Sequence, residues 1–493
     1  MKPATPTFLA QVARNGLVAA STLALLSACM VGPDFQKPSA PTSQHYDVQV
    51  EQKLAGDNAD TPRVATGTTM GGDWWATFAS PKLDQVMRKA IEGNLDLEAA
   101  DATIAQAYEA VTAVRGSLLP QVDIGAQATR QRTAGPGGFG TGNAYAVGPR
   151  VSFDLDVFGG TKRAVEAQGA LAELQRHRYD AAYLTLTGDV ASQSLSLASA
   201  RAQLAAVESL LANDRKNLEL VQAAHRYGSA TQVDIALATS QLAQDETLLP
   251  PLAQQRDTAR HALSVLAGKG PADWVPPDFD LGDFTLPANL PLSLPSDVAR
   301  SRPDILAAEA QLHASSAAIG VATADLYPHL ELSGALTRVG PLPGVGTLWG
   351  LAAGLTAPIF HGGTLKANQR GAVDGYKASL AIYKQTVVTS FGQIADVLQA
   401  VDHDGEEAAA QDRALAAADL SLRLNREGFK AGETSVLQVI DAERSYQRAL
   451  VGQIRAKTAQ YLDIVQLSIA LGGNSNEAFA RRVAYRNGSS QSE

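Results

Sequence analysis

Cysteine occurs once in 493 residues, at position 29, so neither an internal disulfide nor a cysteine metal site can hold this chain together. Long hydrophobic runs are missing too. The most apolar stretch, Leu17 to Leu26, is too short to cross a bilayer as a stable helix. Basic residues are in the minority, 41 Lys and Arg against 50 Asp and Glu, and no basic stripe offers itself to nucleic acid. Catalytic signatures are absent as well. There is no HExxH, no GxSxG and no Walker loop, and His177, His225, His261, His313, His329, His361 and His403 are scattered without ligand spacing. Enzyme chemistry is therefore not expected.

Proline is lacking from residues 161–226 and again from 365–430, two Ala/Leu/Gln/Glu-rich runs. At about 1.5 Å per residue each would form a helix on the order of 100 Å long, the scale of a coiled coil or helical barrel. Each run ends at a glycine: YGSATQVDIALATSQL around Gly228 and AGETSVLQVIDAERSY around Gly432, 204 positions later. At the same offset Thr231 meets Ser435, Leu263 meets Leu467 and Gly268 meets Gly472. Upstream, Leu119-Pro120-Gln121-Val122 resembles Tyr327-Pro328-His329-Leu330, and Val157-Phe158-Gly159-Gly160 resembles Ile359-Phe360-His361-Gly362-Gly363. The chain is an internal duplication. Each copy reads as helix, two strands, very long helix, tight turn and returning helix. Pro250-Pro251 should break the first return; the second has no such pair.

Four stretches alternate with period two. Val122, Ile124, Ala126 and Ala128 mark the first; Val147, Val151, Phe153 and Leu155 the second; Leu330, Leu332 and Leu336 the third; Trp349, Leu351, Ala353 and Leu355 the fourth. Each is roughly ten residues, enough for a tilted strand to cross a bilayer, although half-buried soluble strands alternate in the same way. Four strands cannot close a membrane barrel, and an open edge is excluded from lipid by its unpaired backbone groups. Spanning strands would therefore require an oligomer. The glycine-rich residues 135–142 lack the Lys-Ser/Thr of a phosphate loop and read as a hairpin loop, with 340–346 as counterpart.

Residues 1–28, with Lys2 and Arg14 as their only charges, fit a secretory signal peptide. Leu26-Ser27-Ala28-Cys29 resembles a bacterial lipobox, which implies a diacylglycerol and an N-acyl lipid on Cys29 after cleavage. The remaining plan is a lipidated N-terminal segment (29–80), a first repeat (81–268), a proline-rich connector (269–296), a second repeat (297–472) and a polar tail (473–493).

Several motifs together resemble the outer membrane factor (TolC-like) family, in its lipoprotein branch. They are Cys29-Met30-Val31-Gly32-Pro33-Asp34-Phe35, Trp74-Trp75, Leu294-Pro295-Ser296-Asp297, Arg302-Pro303-Asp304-Ile305 and Ile319-Gly320-Val321-Ala322. The resemblance covers nearly the whole chain after residue 28. It implies a mainly α fold with membrane β: a long α-helical barrel plus a transmembrane β-barrel shared between subunits. The chain would form a homotrimer in the outer membrane, docked to a periplasmic adaptor and an RND-type inner-membrane pump. Alternatives are a type I protein or oligosaccharide secretion system, or a periplasmic adaptor lipoprotein; a single hairpin flanked by lipoyl-like halves would mark the last, and two hairpins argue against it.

Asp441 and Arg444 stand three apart on one helical face, close enough to interact. The resemblance implies that Asp441 lines the periplasmic aperture, with Asp234 on the neighbouring hairpin and Phe429 forming links that hold it shut. Gln438 stands where a second ring carboxylate can occur. Gly228, Ser229 and Ala230, with Gly432, Glu433 and Thr434, would be the tips that touch the adaptor. Arg302-Pro303-Asp304 also reads locally as a helix start.

Overall fold

A computed structural model describes residues 30–56, 62–68, 71–135, 138–340 and 346–473. The signal segment 1–28, Cys29 and all of the tail except Gly473 lie outside the described residues. The helices are α1 (Val48–Leu54), α2 (Pro81–Gly93), α3 (Leu95–Gly116), α4 (Gly160–Arg226), α5 (Gln232–Glu246), α6 (Leu249–Leu266), α7 (Pro295–Ser301), α8 (Pro303–Ala324), α9 (Thr364–Ala431) and α10 (Val436–Ala470). The strands are β1 (Arg63–Thr66), β2 (Gln121–Gly135), β3 (Gly138–Leu155), β4 (Asn289–Leu292), β5 (His329–Gly340) and β6 (Gly346–Thr356).

The proline-free runs form single helices of 67 and 68 residues. Where proline returns, the helix breaks: α5 stops at Glu246 and α6 starts at Leu249 with proline in its first turn, while α10 continues for 35 residues. Pro303 likewise opens α8, because its fixed φ suits a first helical position that needs no amide donor.

Two compact units emerge from the contacts, each described by itself. The first comprises Ala102–Arg176 and Ala307–Gln385 with the described part of Met1–Pro38. It holds an antiparallel sheet in the order β2-β3-β5-β6. One face carries apolar rows such as Val122–Val151–Gly334–Leu351; the other carries Gln121–Ser152–Ser333–Ala352. The first hairpin is longer than the alternation suggested, with strands of 15 and 18 residues. The expected loop at 135–142 is mostly strand, since Gly135 pairs with Gly138 and glycine adopts extended backbone freely.

In the same unit the N-terminal motif wraps a buried arginine. Arg163, 1% exposed, donates to the carbonyls of Val31 (3.2 Å) and Gly32 (3.4 Å) and to the carboxylates of Asp34 and Glu166 (2.7 Å each). Glu166 also bonds His313 at 2.9 Å, and Phe35 stacks on that imidazole at 4.4 Å. Burial disfavours the guanidinium charge, but the two carboxylates outweigh it and its pKa rises. A side chain on Gly32 would collide with Gly320, and one on Gly320 with Arg163, so both motif glycines serve this clasp.

The second unit comprises Ser39–Asp101, His177–Leu306 and the described part of Thr386–Glu493. Its core is aromatic: Trp74 and Phe78 are buried, Phe78 packs edge-on against Phe284 and Tyr461, and the Trp74 indole donates to Thr187. The connector is more ordered than its prolines suggested. β4 pairs in parallel with β1, a two-stranded sheet absent from the sequence reading. Arg302 does more than start a helix. It donates to the carboxylate of Asp304 and, at 2.8 Å, to the carbonyl of Ala470 at the end of α10.

Candidate functional site

Both hairpin tips are built alike. Each long helix closes with a left-handed glycine, φ 76° at Gly228 and 80° at Gly432. The next amide reaches back five residues, Ser229 to the carbonyl of Ala224 (2.9 Å) and Glu433 to that of Gly428 (2.8 Å), the Schellman ending. Two or three residues later each return helix opens with a reciprocal capping box, Thr231 with Asp234 and Ser435 with Gln438. The tips are thus rigid, exposed turns; Ser229 and Glu433 are exposed and Ala230 and Thr434 half-buried. The S/T-x-x-D/Q spacing of Thr231 with Asp234 and Ser435 with Gln438 is the sequence signal for these caps.

This gives Asp234 and Gln438 local work. The Asp234 carboxylate accepts from both the amide and the hydroxyl of Thr231 (2.7 Å each), which holds its pKa below the usual range; among the described residues the inter-hairpin link expected of it is not made. Gln438 accepts from the amide of Ser435 at 2.9 Å. Phe429 is half-buried. The Asp441–Arg444 pair also differs from expectation: among the described residues no ion pair joins them. Asp441 is exposed, whereas half-buried Arg444 lies within electrostatic reach of Asp214, one of a cluster of carboxyls.

That cluster was missed. Glu443, 4% exposed, accepts from Asn217 of α4 (2.7 Å) and pairs with Arg426 of α9 (2.8 Å), so it joins the two hairpins. Beside it, buried Asp214 and Asp245 meet. Burial first, then Asp245 and Glu443, push the Asp214 carboxyl up to about 7. A second carboxyl in this unit, half-buried Asp463, is pushed up to about 8 by desolvation and by Asp404. A raised folded pKa means that stability from these groups is full below about pH 4, the unfolded value, and fades as pH rises through 7 to 8. Melting temperature should therefore drop between pH 5 and pH 8.5, and Asp214→Asn with Asp463→Asn should flatten the profile. An unaltered profile in the double variant would place the titration elsewhere.

The sequence that builds these hairpins and this sheet matches a family profile described as outer membrane efflux protein, over residues 86–269 and 294–473. The chain belongs to that family. Pyoverdine export outer membrane protein OpmQ of Pseudomonas putida is 32% identical over 419 residues, covering 81% of this chain and 87% of that protein. Outer membrane protein OprJ of Pseudomonas aeruginosa is 29% identical, covering 96% and 98%. Among solved structures, the outer-membrane channel OprN superposes with a TM-score of 0.82 at 26% identity, covering 90% of this chain and 99% of that one. The open-state MtrE channel of Neisseria gonorrhoeae superposes at 0.77, also with 26% identity. This outer membrane efflux protein is an efflux channel of the cell outer membrane. Among its described residues no helix is long and apolar enough to cross a membrane.

Proposed function

We propose that this efflux channel works as a homotrimeric exit duct whose subunits share one barrel, four strands from each. The observation that carries the reading is the open sheet. Among the described residues β2 and β6 have a neighbour on one side only, and the apolar face across all four strands is largely exposed. Such edges are not tolerated in lipid, and four strands are too few to close alone. Outer-membrane lipid would cover the apolar face, and the polar face would line the passage.

In this reading residues 1–28 are removed and Cys29 carries the diacylglycerol and N-acyl lipid. The tips at Gly228–Ala230 and Gly432–Thr434 meet a periplasmic adaptor, which links the duct to an RND-type inner-membrane pump. Asp441, repeated around the symmetry axis, forms a carboxylate ring at the periplasmic aperture, with Arg444, Asp234, Phe429 and Gln438 around it. Relatives are named for different cargoes, pyoverdine for one and toluene for another, so choice of cargo is assigned to the pump partner.

Native mass spectrometry of the full-length protein in detergent tests the subunit count. A trimer is expected, with three lipid modifications lost together in Cys29→Ser expressed behind a substitute cleavable signal. A folded monomer would contradict the shared barrel.

A further inference from the structure

The chain already contains, between its two repeats, the junction that its free edges lack. We propose that β6 of one subunit pairs with β2 of the next in the register of the internal β3–β5 junction, with Leu355 opposite Ala126 and Ala357, one residue past β6, opposite Ile124. This rests on the shared-barrel reading above and adds the side chains that meet at the seam.

The repeat relation fixes the register. α3 and α8 are each 22 residues long and start and end 208 positions apart, as do the starts of β2 and β5. Beyond the hairpin the relation shortens to 204. Gly159 and Gly363 are both left-handed, with φ of 76° and 87°, and α4 and α9 start 204 apart. The ladders agree independently: Gln121 faces Ser152 and His329 faces Thr356, which places Thr356 204 positions after Ser152. Chemistry is preserved too, since Arg130 corresponds to Arg338, Thr129 to Thr337 and Tyr145 to Trp349.

In the β3–β5 junction Val151 faces Gly334, Phe153 faces Leu332 and Val147 faces Arg338. Moving the first of each pair forward by 204 and the second back by 208 gives Leu355–Ala126, Ala357–Ile124 and Leu351–Arg130. Exposure supports the exchange. Leu155 and Leu330 face each other and are half-buried; their equivalents Ile359 and Val122 are 96% and 68% exposed, and this register sets them opposite one another. Because each chain contributes an even number of alternating strands, β6 and the next β2 run antiparallel, as the ladder requires. A one-residue slip would turn apolar side chains to the polar face. A two-residue slip keeps the faces and is the rival: aligning Phe158 with Phe360 sets Leu355 opposite Ile124.

Cysteine pairs in the full-length protein in isolated outer membranes separate these cases. Facing residues are about 4.5–5.5 Å apart at Cα, within disulfide reach, and a two-residue diagonal is too long. On oxidation, Leu355→Cys with Ala126→Cys should give covalent trimers on non-reducing gels, as should the milder pair Ala353→Cys with Ala128→Cys. Leu355→Cys with Ile124→Cys should stay at the level of the single-cysteine controls. Strongest crosslinking in that last pair would overturn the register while leaving the shared barrel intact. A trimer by mass without crosslinks in any pair would also overturn it; a monomer would remove the reading beneath it.

Discussion

Arg163→Ala is expected to cost about 3–5 kcal/mol, because it strips four bonds from a buried charge and strands the acceptors left behind. The carbonyls of Val31 and Gly32 lose a donor, and Glu166 keeps only His313. A fall in melting temperature of about 10 °C follows for a unit of this size. Amide exchange should accelerate selectively in residues 31–37, the segment held by the guanidinium. Arg163→Lys should rescue little, because one ammonium cannot span acceptors that a planar fork reaches together. A melting temperature within about 1 °C of wild type would show that the N-terminal motif is held by something other than Arg163.

The second large effect concerns channel closure. Glu443→Ala removes the carboxylate bonded to both Asn217 of the first hairpin and Arg426 of the second. Arg426 is partly exposed and can hydrate, so the loss should be nearer about 2 kcal/mol than the full cost of an isolated buried charge. Applied to a closed–open equilibrium, that shifts the population by roughly 30-fold. Planar-bilayer recordings of the purified oligomer should show a larger open current for Glu443→Ala than for wild type. Asp441→Ala, which removes an exposed carboxylate without an ion partner among the described residues, should have the smaller effect. Leakage caused by Asp441→Ala but not by Glu443→Ala would place closure on the symmetry axis and outside the hairpin link.

The long helices were legible because their signal is cumulative: some 67 residues without proline, framed by glycines that the turns require. The strands were legible in number and facing but short in extent, because Gly138–Gly142 carries too few side chains to alternate. β1 and β4 were hidden, each only four residues long and joined across 226 positions from Arg63 to Asn289. Arg163 is one of 41 basic residues, and its partner Asp34 lies 129 positions away; nothing local marks it. Glu443 left a usable trace, since it falls in the buried stripe of Val439, Ala442 and Gln447. A glutamate in an apolar stripe needs a partner. Exposed Asp441 and half-buried Arg444 beside it are more legible, because charge spacing shows in a sequence and burial does not.

Amide hydrogen exchange of the purified protein in detergent tests the central claim, that the sheet edges of one chain are closed by another. β2 and β6 are edge strands in a single chain, and β3 and β5 are paired on both sides. A shared barrel predicts that all four strands exchange equally slowly. Fast exchange in β2 and β6 beside slow exchange in β3 and β5 would contradict it.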